Sequence, residues 1–119
     1  MKNKGYLAQE LKTLIDTYIN NIRDIYGSHL CNIILYGSYA RGDYNEYSDI
    51  DIMILVDLSD MDIKKYRHQL SDMTFDINIE NDIDIKPMAV NDQHFNRWVG
   101  VYPFYANVKE EGVMLYEAA

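Results

Sequence analysis

Hydrophobic positions near the start of the chain recur at three- and four-residue steps: Leu7, Leu11, Leu14, Ile15, Tyr18, Ile19, Ile22, Ile25 and Tyr26. That spacing predicts one apolar face of an α-helix of about five turns, stopped at Gly27. Residues 31–36 form a short, apolar, partly β-branched run, which predicts a buried strand ending at Gly37. A second strand is predicted over 49–56. Its first half alternates Asp with Ile, so Asp49 and Asp51 share one face and Ile50 and Ile52 the other. Ser59 fits an N-cap, and a helix is predicted over 60–80. Residues 82–86 alternate acidic and apolar again and predict a third strand, with Pro87 marking an edge position or the strand exit. Asn91 or Asp92 can cap a helix reaching 99. Pro103 suits the first turn of a last helix that ends near Gly112. Residues 113–116 add a short strand. This order predicts an α+β fold, a small mixed β-sheet with helices packed on it.

Composition narrows the function. A chain of 119 residues, 48% hydrophobic and 25% charged, is read as one folded domain over 1–119. The net charge is −8, from 11 Lys and Arg against 19 Asp and Glu. Such a surface repels phosphate backbones, so no direct nucleic-acid partner is expected. A single nucleotide differs, because Mg²⁺ can bridge carboxylates to its phosphates. The one cysteine, Cys31, allows neither an internal disulfide nor a Cys-rich metal site and is read as a small core residue. No apolar stretch is long enough to span a membrane, and a cytoplasmic protein is expected. His29, His68 and His94 lack zinc-helix spacing and are read as surface or capping residues. Met53, Met61, Met73, Met88 and Met114 are read as core filler.

The segment that carries chemistry runs LYGSYARGDYNEYSDIDIMI, from Leu35 to Ile54. Gly37 lacks a Cβ, so backbone there can approach a phosphate. A helical turn over 38–42 would aim its first N–H groups at an anion. The Ser38 hydroxyl can donate to a phosphate oxygen, and Arg41 adds a fixed charge and a donor fork. Asp49 and Asp51 would repel one another bare, and a divalent cation removes that conflict. Ser48 can hydrogen-bond near Asp49 and orient it. Gly-Ser is by itself usually a turn, and Asp-x-Asp usually a solvated edge. Together, ten residues apart, they should meet by chance in about one chain per thousand of this size, and that rarity favours function. Tyr39, Tyr44 and Tyr47 flank the motif and suit base stacking, partner contact or ordinary packing equally.

Gly37-Ser38, ten residues, then Asp49-Ile50-Asp51 resembles the signature of the DNA polymerase β-like nucleotidyltransferases. Gly37-Ser38-Tyr39-Ala40-Arg41-Gly42 with Ser48-Asp49-Ile50-Asp51 is similar to the minimal nucleotidyltransferases, whose resemblance covers nearly the whole chain. The resemblance implies a polymerase β-like palm. It implies two Mg²⁺ ions held by Asp49, Asp51 and a third carboxylate, and ATP held by Gly37 and Ser38. Alternation leaves Asp82 and Asp84 both open as that third carboxylate. Aligning the family pattern on Pro87 favours Asp82. The resemblance further implies AMP transfer to a tyrosine of a HEPN ribonuclease toxin, the chain acting as antitoxin in a hetero-oligomer. A small-molecule adenylyltransferase of the aminoglycoside type and an antitoxin acting by binding alone are the alternatives.

Overall fold

A computed structural model describes residues 9–119. Leu7, which opens the predicted helical pattern, lies outside the described residues. Helix α1 (Gln9–Tyr26) buries Ile15, Tyr18, Ile19, Ile22 and Tyr26, the 3.6-residue stripe expected of an amphipathic helix. A 3₁₀ turn at Gly27–His29 leads into β1 (Leu30–Tyr36). One short helix, α2 (Ser38–Arg41), and a loop separate β1 from β2 (Ile50–Val56). Then come α3 (Asp60–Asn81), β3 (Ile85–Asn91), α4 (Asp92–Trp98), α5 (Pro103–Glu111) and β4 (Val113–Glu117). Ser59 caps α3 by accepting from Asp62 N–H, and Asn91 caps α4 by accepting from His94 N–H.

The sheet order is β3-β2-β1-β4. Strand β1 is antiparallel to β2 and β4, and β2 is parallel to β3. Alternation divides the core. Ile33, Leu35, Ile50, Ile52, Ile54, Val56 and Ile85 face α1 and α3. Ile34, Met53 and Leu55 face Phe95 of α4 and Val108 of α5. A buried hydrogen bond of 2.7 Å between Tyr18 Oη and Thr74 Oγ1 ties α1 to α3. Asp49 and Asp51 follow the parity of Met53 and Leu55, so they belong to the α4–α5 side of the sheet. No helix among the described residues is long and apolar enough to cross a membrane.

The third strand differs from its predicted span. Helix α3 runs on to Asn81, and Asp82 leaves it in the left-handed conformation at φ 52°, its N–H donating to Asn78 O. Asx residues tolerate that conformation, so the acid at 82 serves a helix exit rather than a strand. The strand starts at Ile85 and continues past Pro87 to Asn91. Strand β3 is one edge of the sheet, and Ile50 N–H donates to Asp84 O at 2.9 Å. By parity the backbone groups of Asp84, Lys86 and Met88 face β2, and those of Ile85, Pro87 and Ala89 face outward. Pro87 therefore removes no bond from the ladder. The outward groups of Ile85 are held by the Asn78 side chain, which accepts from Ile85 N–H at 2.8 Å and donates to Ile85 O at 3.2 Å.

Two smaller expectations are corrected. Met61 and Met88 are exposed: Met61 lies on a second, solvent-facing side of α3 with Phe75 and Ile79, and Met88 lies on the edge strand β3. Cys31 is only part-buried and lies 3.5 Å from Asp92 Oδ2, and burial with that neighbouring charge pushes its thiol up to about 11. The histidines match their reading: His29, His68 and His94 are exposed and pair with Asp57, Asp72 and the Tyr105 hydroxyl.

Candidate active site

The site forms where β1 ends and β2 begins. After Tyr36 the chain turns at Gly37, with φ 75° and ψ −156°. Ala40 N–H and Arg41 N–H both donate to Gly37 O at 3.1 Å, and Gly42 N–H donates to Ser38 O at 2.9 Å. This is the single helical turn expected over 38–42, and Gly42 at φ 88° terminates it. By helix geometry the N–H groups of Ser38 and Tyr39 precede any intrahelical acceptor.

The loop that follows is held from within. Asn45 N–H donates to Ser48 Oγ at 2.9 Å, Ser48 N–H to Asn45 O at 3.1 Å, and Tyr47 N–H to Asn45 Oδ1 at 2.8 Å. The Tyr39 and Tyr44 rings stack at 4.2 Å and 9°. Ser48 thus accepts from Asn45 and closes the loop that delivers Asp49 to β2. Arg41 reaches Asp43 at 3.2 Å and Glu111 at 3.2 Å, which fastens α2 to the end of α5.

Asp51 pairs with Tyr36 across β1 and β2 and lies directly against Gly37. Burial raises the Asp51 carboxyl above the usual carboxylate range, and the charge of Asp49 raises it further. Across the parallel pairing, Asp51 is opposite Lys86, and Ile50 is opposite Ile85. One residue back, Asp84 stands level with Asp49. A hydrogen bond with Asp49 is the main cause that raises the Asp84 carboxyl, with desolvation second. Lys86 Nζ lies 3.7 Å from Asp49 Oδ2 and 3.9 Å from Asp84 Oδ2.

Asp49, Asp51 and Asp84 are therefore brought together, and Asp82 is not. Asp82 sits at the helix exit, exposed and before the strand, so it cannot stand level with the pair. Lys86 and Glu111 are the members that sequence reasoning missed. Lys86 continues the 82, 84, 86 alternation, which is a signal that could have found it. Glu111 lies 70 residues from Arg41 and left none. Among the described residues, no three His, Cys, Asp or Glu side chains converge tightly enough to hold a metal ion as they stand. The donor chemistry nevertheless suits Mg²⁺. All three groups are hard oxygen donors, and Asp49 and Asp84 crowd closely enough to share a hydrogen bond that a cation would replace.

A family model described as nucleotidyltransferase domain matches residues 15–97. The chain belongs to the nucleotidyltransferase domain family. The matched stretch of this nucleotidyltransferase contains Gly37, Ser38, Asp49, Asp51, Asp84 and Lys86, and it stops before Glu111. Two proteins of Methanocaldococcus jannaschii that carry the provisional name protein adenylyltransferase are each 35% identical to it. One aligns over 86% of this chain and 94% of its own length, the other over 66% and 78%. A chain of a mutant MntA–HpeT toxin–antitoxin complex superposes with a TM-score of 0.56 at 20% identity, covering 87% of this chain and 73% of that one. A chain of a toxin–antitoxin complex with AMP-PNP gives 0.53 at 22%, covering 90% and 73%. The fold is the polymerase β-like nucleotidyltransferase palm.

Proposed function

We propose that this nucleotidyltransferase moves AMP from ATP to a tyrosine hydroxyl of a partner toxin, a HEPN-type ribonuclease, and so acts as its antitoxin. The observation that carries the reading is the gathering of Asp49, Asp51 and Asp84 beside the Gly37–Ser38 turn. The names of the relatives support adenylyl transfer to protein. The toxin–antitoxin complexes among the structural neighbours, one with an ATP analogue, support the partner class. A net charge of −8 suits a basic, RNA-cleaving partner.

Asp49, Asp51 and Asp84 would hold two Mg²⁺ ions, which neutralise phosphate charge and polarise the reacting oxygens when bound. Gly37, without a Cβ, lets the N–H groups of Ser38 and Tyr39 approach the β- and γ-phosphates, and the Ser38 hydroxyl adds a donor. Arg41, held by Asp43 and Glu111, contributes positive charge at the same turn. The acceptor oxygen forms its bond to the α-phosphorus in line as the bond to pyrophosphate breaks, and Asp84, beside Asp49, takes the acceptor proton. The test is an intact-mass measurement of the toxin encoded beside this chain, after incubation with the chain, ATP and Mg²⁺. A gain of one or more AMP units on tyrosine is expected. A toxin silenced at unchanged mass would replace transfer with binding alone.

A further inference from the structure

Lys86 has no place in the scheme above, yet its ammonium is positioned among the acids. Strand parity puts the Lys86 side chain on the same side of β3 as Asp84, and the parallel register sets it opposite Asp51. Its Nζ lies within 4 Å of oxygens on both Asp49 and Asp84. The other cation of the site, Arg41, pairs with Asp43 and Glu111, and its charge also reaches Asp51. Lys86 and a divalent cation thus call on the same carboxylate oxygens. The lysine is tethered, long and more than half exposed, so it can leave those oxygens at little cost.

We infer that Lys86 is a tethered counter-ion of the carboxylate cluster, which competes with a bare divalent cation and turns to the triphosphate when a metal–nucleotide complex binds. The inference rests on the metal-site reading proposed above. Its physical basis is charge. Without Lys86, three acids face each other with less compensation, so a free cation binds more readily. Once metal and nucleotide arrive together, the displaced ammonium meets phosphate oxygens, for which a flexible point charge is well suited.

Two equilibrium measurements on Lys86→Met test it, neither requiring turnover. Bare Mn²⁺ binding, followed by loss of the free-ion paramagnetic signal, should tighten by about three- to tenfold at low salt. Binding of Mg²⁺ with AMP-PNP should weaken by a similar factor of about three to ten. Lys86→Arg, which keeps the charge, should stay near the wild type in both, and melting curves should show both variants folded. A residue that merely supports the fold would weaken both ligands together. The inference is overturned if Mn²⁺ fails to bind Lys86→Met more tightly, or if AMP-PNP fails to bind it more weakly. Should the wild type take up no Mn²⁺, the metal-site reading falls and this inference with it. A wild type that binds Mn²⁺ and a variant that binds it equally sinks only the role of Lys86.

Discussion

The backbone of Gly37 lies so close to the Asp51 carboxylate that a Cβ at position 37 would collide with Asp51 Oδ2. The same glycine holds φ 75° with ψ −156°, a region essentially open to glycine alone. The turn proposed to cradle phosphate and the acid proposed to bind metal are thus fitted to each other at one missing side chain. Gly37→Ala should lose about 1–3 kcal/mol of stability from backbone strain. Because the collision also displaces Asp51, transfer should slow by about 100-fold or more. Urea denaturation and the rate of AMP transfer measure the two effects. A variant with native stability and full rate would show that the turn relaxes and does not carry the phosphates.

The third carboxylate is tested by a pair of substitutions. Asp84→Asn should slow transfer by about 10²–10⁴-fold if Asp84 is, as proposed, both a metal ligand and the proton acceptor. Asp82→Asn should leave the rate unchanged and stability within about 0.5 kcal/mol, because Asn is at ease in the left-handed conformation that residue 82 adopts. The opposite ranking would mean that the helix exit rearranges in the working enzyme.

Asp51 makes stability depend on pH. Its folded-state pKa is raised, so between the ordinary carboxylate value and that raised value the native protein binds more protons than the unfolded chain. Stability from this group therefore falls as pH rises through that window and stays reduced above it. Without Mg²⁺, Asp51→Asn should melt slightly higher than the wild type at pH 7 and lose that advantage as pH is lowered through the window. Mg²⁺ should raise the melting temperature of the wild type alone. If Asp51→Asn melts lower at pH 7, the carboxylate is structural.

Tyr18→Phe isolates the contact between α1 and α3. Tyr18 and Thr74 are both buried, and their hydroxyls bond at 2.7 Å. Losing one hydroxyl should cost about 1–3 kcal/mol, because Thr74 keeps a buried polar group short of its partner. Transfer should continue at the wild-type rate, since the bond lies on the face of the sheet away from Asp49 and Asp51. A slowed enzyme of unchanged stability would reverse that assignment.

The sequence made the core pattern and the first half of the site readable for local reasons. The alternation of Asp49-Ile50-Asp51-Ile52 dictates which side chains share a face, and Gly37 and Gly42 bracket one helical turn. The stretch 82–86 misled because alternation cannot distinguish a strand from a helix exit followed by a strand. The better signal was Asn81-Asp82, two residues that tolerate left-handed backbone at a helix end. Seeing which of Asp82 and Asp84 lies level with Asp49 needed the pairing of Ile50 with Ile85, a register set by packing across the sheet. The bond from Arg41 to Glu111 was hidden for the same reason, since nothing local to either residue announces the other.

The clasp of Asn78 on Ile85 has a consequence for assembly. Together with Pro87, it leaves the outer rim of β3 few main-chain groups to offer a foreign strand until Ala89. An open, unblunted rim invites edge-to-edge polymerisation, and this one is plugged by an amide and a ring. Copies of the protein at high concentration have little template there for runaway sheet growth. A partner approaching the acids along that flank must be held by its side chains rather than by β-augmentation.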